Sequence, residues 1–70
     1  MNHGIFTRAA RKYAKNARDL PSTYEAYALL DEAYLQTEPS EQTDKLYNKT
    51  YKKLDNKLAQ FNAFRHAADV

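Results

Sequence analysis

Apolar and polar positions along this chain recur with the period of a helix rather than the alternation of a strand. With successive residues placed about 100° apart, Phe6, Ala9, Ala10, Tyr13, Ala17 and Leu20 share one side of a first segment. Arg8, Arg11, Lys12, Lys15 and Arg18 share the other. The pattern predicts a helix from Ile5 or Arg8 to Leu20, stopped because the ring of Pro21 disfavours the α conformation before it. A second helix is predicted over 23–37. Ser22-Thr23-Tyr24-Glu25 reads as its capping box, with the serine hydroxyl accepting from a free backbone N–H and Glu25 reaching back. Its expected core face is Ala26, Tyr27, Leu30, Ala33 and Tyr34, with Leu29 at the edge.

A third helix is predicted over 40–67, beyond Pro39, with Thr37 and Ser40 competing to cap it. Tyr47, Tyr51, Leu54, Leu58 and Phe61 recur at alternating four and three spacing and give it a narrow apolar seam. At about 25 residues and roughly 38 Å it is far longer than the other two, unless it bends near Asn56. The expectation is all-α: two shorter helices packed on one long C-terminal helix, in a single small domain spanning 1–70. The projecting end of the long helix is a natural surface for a homodimer.

Composition narrows this further. One Gly, two Pro and no β-branched runs favour helices. Seventy residues lie near the lower limit for folding alone, and large aliphatic side chains are few, so the six tyrosines must carry much of the buried area. With no Cys there is no disulfide, thiolate nucleophile or thiolate-bound metal, as suits a cytoplasmic protein. No apolar run approaches the roughly 20 residues of a membrane span. The apolar side of the first helix is mostly Ala, unlike the bulky side of a helix that lies on a membrane.

Charge divides the chain into basic, acidic and basic blocks of +5, −7 and +4, over residues 1–18, 19–44 and 45–70. The central block holds Asp19, Glu25, Asp31, Glu32, Glu38, Glu41 and Asp44 and not one Lys or Arg. In the third helix Lys45, Lys49, Lys53 and Lys57 stand four apart and repel one another. The acidic second helix is the nearest expected counter-charge for that row, and for the basic face of the first.

Candidate chemistry is sparse. His3 and His66 are far apart, and His66 with Asp69 makes only two of the ligands a metal site needs. Gly4 is the only glycine, so there is no phosphate-cradling loop. Ser22 and Ser40 are explained as caps. An enzyme is not expected, nor any cofactor or metal. The tyrosines at helical spacing read as core with their hydroxyls at the rim, Tyr24 excepted.

What remains is binding. Tyr24, Ala28 and Leu35 fall within about 40° of each other on the side of the second helix away from its core face, flanked by Glu25, Asp31 and Glu32. This predicts a protein-binding stripe, and with it a small regulator or inhibitor that occupies a surface on a larger partner. Its acidic face could imitate a nucleic-acid backbone. The alternative is a nucleic-acid-binding protein that contacts phosphates through Arg8, Arg11, Lys12, Lys15, Arg18, Lys45, Lys49 and Lys53. The two readings make opposite demands. The first needs the acids free, the second the cations.

Overall fold

The computed structural model describes the backbone of residues 1–68 and the side chains of residues 1–63. The fold is all-α. Helices α1 (His3–Asn16), α2 (Leu20–Leu35) and α3 (Glu41–Ala68) each pack against the other two. Chain direction alternates. His3 at the start of α1 meets Thr43 at the start of α3, and Lys57 reaches the end of α1, so α1 and α3 run parallel with α2 antiparallel between them.

The helix ends differ from the sequence expectation for identifiable reasons. Asn2 caps α1, its side chain accepting from the Ile5 N–H at 2.9 Å, so the helix starts at His3 rather than Ile5 or Arg8. It stops at Asn16, short of Leu20, because Asp19 already begins the next helix. The predicted Ser22–Glu25 capping box is not formed. Asp19 is the cap and Ser22 its third-position partner: Asp19 accepts from the Ser22 N–H at 2.9 Å, and the Ser22 hydroxyl accepts from the Asp19 N–H at 3.0 Å. Pro21 therefore falls inside the first turn of α2, where its missing N–H costs nothing. These bonds from Ser22 hold the Asp19 carboxyl below its usual range. At the other junction Ser40 is the cap, accepting from the Thr43 N–H at 3.1 Å, while Thr37 turns inward and donates to the Ala33 carbonyl at 2.6 Å. Helix α3 is continuous through Asn56.

The core is small and built mainly from small residues. Phe6, Ala10, Ala14, Ala17, Ala26, Leu30, Ala33 and Leu54 are buried. The expected core faces of the first two helices are thus largely right, with Leu20 transferred to α2. Four threonines complete the interior: Thr23, Thr37, Thr43 and Thr50. Thr23 and Thr37 solve the problem of a buried hydroxyl by donating to the carbonyl one turn back. The α3 seam accordingly runs Thr43, Tyr47, Thr50, Leu54. Tyr51 lies at its margin, 36% exposed, and Leu58 and Phe61 are only half-buried.

Two substitutions test this packing by urea or thermal unfolding. Leu54→Ala removes a fully buried side chain and should cost about 2–5 kcal/mol. A loss under half of one kilocalorie would mean that the seam is misassigned. Asp19→Ala should lower stability at neutral pH through the lost cap. Because the folded carboxyl is the stronger acid, that contribution is present above pH ~4 and is lost as pH falls through the lowered folded value.

Candidate functional site

The packing of α2 on α3 gives three aspartates tyrosine partners. Three tyrosine hydroxyls donate across this seam to aspartates, each at 2.5 Å: Tyr27 to Asp55, Tyr34 to Asp44 and Tyr47 to Asp31. The rings between them form a continuous ladder. Tyr34 stacks on Tyr47 at 4.3 Å, Tyr51 contacts both Tyr47 and Tyr27, and Phe6 meets Tyr34 edge-on. The phenols become weaker acids as a result. Burial, then the Asp55 bond, raises Tyr27, and the Asp44 bond raises Tyr34. The bond to Asp31, aided by burial, pushes Tyr47 up to about 12.

Four acids of the central block have partners within the chain. Asp31 and Asp44 accept from tyrosines, Asp19 caps α2, and Glu41 pairs with Lys45 at 3.3 Å. Among the described residues that last contact is the one ion pair. The lysine row therefore does not sit against the acids of α2, as its repulsion had suggested, and neither does the basic face of α1.

The predicted α2 stripe is on the surface. Tyr24 is 58% and Leu35 82% exposed, and Ala28, Glu25 and Glu32 are exposed beside them. Helix α1 does not cover this face. Asp31 stands apart from the others, half-buried and turned to Tyr47.

Between α1 and α3 four basic residues, Arg11, Lys15, Lys53 and Lys57, come together. Arg8, Arg11, Lys12, Lys15 and Arg18 are exposed, as are Lys45, Lys49 and Lys53. Because α1 and α3 are parallel neighbours, Arg11 and Lys15 face Lys53 and Lys57 across a groove floored by Ala14, with Asn56 and Gln60 along its α3 wall. Lys57 is half-buried, and its ammonium donates to the carbonyls of Ala14 and, at 3.1 Å, Ala17. It thus satisfies the unpaired carbonyl end of α1 and complements that helix's negative pole. Sequence reasoning placed Lys57 only in a repelling row and missed Asn56 and Gln60. Four-residue spacing within α3 cannot show which helix lies alongside.

No group of three or more metal-ligating side chains occurs among the described residues, and His66 and Asp69 lie outside the side chains described. No helix among the described residues is long and apolar enough to cross a membrane. The chain matches no protein family, no curated protein and no solved structure.

The seam makes a pH-dependent prediction. The folded chain holds the Tyr47 proton more tightly than the unfolded chain does. Its contribution is therefore whole below pH ~10 and is lost as pH rises to about 12. Tyr47→Phe should be less stable than the parent at pH 8 by roughly 0.5–1.5 kcal/mol. The gap should close between pH 10 and 12. A gap that persists unchanged to pH 12 would show that the Asp31 bond contributes nothing.

Proposed function

We propose that this protein is a non-enzymatic binding module that occupies the phosphate backbone of a nucleic acid with the joined basic faces of α1 and α3. One observation carries the reading. Arg8, Arg11, Lys12, Lys15, Arg18, Lys49, Lys52 and Lys53 are exposed and pair with no described acid, while tyrosines, a helix cap and Lys45 take up Asp19, Asp31, Glu41, Asp44 and Asp55. Phosphate contacts supply affinity and orientation, and the unpaired cations along the α1/α3 groove, Arg11, Lys15 and Lys53, are suited to them. The lack of cysteine suits a reducing compartment, and the proposal places the protein in the cytoplasm.

A second reading keeps the protein-binding regulator or inhibitor, supported by the exposure of Tyr24 and Leu35. Its partner would be a protein with a basic rim around an apolar groove, complementary to Glu25 and Glu32. The version in which the acidic face imitates a nucleic acid would rest on Glu25 and Glu32, with Asp31 and Asp44 keeping their charge beside Tyr47 and Tyr34.

Fluorescence anisotropy against labelled nucleic acid tests the first reading. Affinity should fall linearly on a double-logarithmic salt plot between about 50 and 200 mM, with a slope near −0.9 for each phosphate contacted. Arg11→Gln with Lys53→Gln should flatten that slope by about 1.8. No measurable binding at 50 mM salt removes the reading. For the second, Tyr24→Ser with Leu35→Ser should change stability by no more than about 0.5 kcal/mol per site. A purified protein partner that binds the parent should then fail to bind this variant.

A further inference from the structure

Resting on the phosphate-binding reading, we infer that the α1/α3 surface takes the backbone of a double-stranded nucleic acid, riding over it without reading its sequence. A single strand is held without sequence preference by a basic groove together with aromatic rings on which its bases stack. Here no aromatic ring lines the groove between Arg11, Lys15, Lys53 and Lys57. On α3, Tyr51 stands about 160° round the helix from Lys53, packs on Tyr27 and Tyr47, and shares with Lys52 a hollow outside the groove. Tyr34 and Tyr47 stack on each other, with their hydroxyls bound to Asp44 and Asp31. On α1, Tyr13 is about 160° from Arg11 and lines a hollow on the α2 side with Ser22 and Glu25. Phe61 adjoins the end of the groove, sharing a hollow with Arg18, Leu20, Pro21 and the groove residue Gln60, but it is half-buried and outside the groove's own lining. Among the described side chains, none offers a splayed base a platform inside the basic groove.

Charge density points the same way. The rows Arg8–Lys15 and Lys49–Lys57 each rise about 10–12 Å. Over such a length a duplex presents roughly 7 phosphate charges and a single strand roughly half as many. Without stacking to compensate, the denser polyanion is the better partner. The cations are also shared between two helices side by side, in a body 17 × 15 Å across. A major groove about 12 Å wide admits one helix, so the surface meets phosphates rather than base edges.

Anisotropy with the full chain tests this. The probes are two 20-base-pair duplexes of unrelated sequence, a non-pairing 20-mer single strand, and inorganic polyphosphate as competitor, all at 50 mM salt. Duplexes should bind at least about tenfold more tightly than the single strand. The two duplexes should agree within threefold, and Tyr51→Ala should leave the duplex-to-single-strand ratio unchanged. Polyphosphate should compete less well than unlabelled duplex at equal charge. A single strand that binds as tightly as duplex overturns the inference while leaving the phosphate-binding reading intact. So does polyphosphate that competes equally at equal charge, or a Tyr51→Ala variant that selectively loses single-strand affinity. Absence of binding to every probe overturns both.

Discussion

Across the α2–α3 seam, Asp31, Asp44 and Asp55 each accept from a tyrosine hydroxyl, and the external character of the protein depends on that commitment. Tyrosine brings a large apolar ring and one polar atom that needs a partner at the rim. Using aspartate for that partner ties the rings in register and satisfies the hydroxyls. Each aspartate keeps its negative charge, but the bond holds it along the α2–α3 seam rather than against the lysines and arginines of α1. A chain of net charge +2 thus gathers Arg11, Lys15, Lys53 and Lys57 along its α1/α3 groove while these aspartates lie along the α2–α3 seam.

The seam works because the rest of the interior is undemanding. Alanines on all but the longest helix let the three elements approach closely around Phe6, Leu30 and Leu54. Buried threonines fill volume as valine would, and two of them return their hydroxyl protons to their own helix. Lys57 closes the exposed carbonyl end of α1 from a neighbouring helix, so that end is finished by tertiary contact rather than by a local cap.

The helical class, the three segments and the inward faces of α1 and α2 were legible in the sequence, because amphipathic period and proline position act locally. The capping box was misplaced by three residues. Asp19 and Ser22 fit the same rule as Ser22 and Glu25, and only the tolerance of Pro21 inside a first turn separates them. Thr43 and Thr50 were missed as seam residues because a hydrophobicity pattern scores threonine as polar. The stripe of Tyr24, Ala28 and Leu35 was legible as an exposed face, since it depends on one helix alone. The fate of the acids was not: pairing Asp55 with Tyr27 or Asp31 with Tyr47 requires knowing how two helices align. The basic groove was hidden for the same reason, since its walls come from helices separated by the whole of α2.

Opposite placement of Glu25 and Glu32 on α2 and the cations on α1 and α3 gives the molecule a permanent electric moment across its short axis. That axis, 15–17 Å, is about twice the screening length of physiological salt. In the non-uniform field near a strongly charged surface the two poles are therefore pulled unequally, and the protein experiences a torque before any atom touches. Its orientation on arrival is set by this alignment rather than by random collision. Changing a charge far from the contact, at Glu25 or Glu32, would then alter how often an encounter is productive while leaving the bound state itself unchanged.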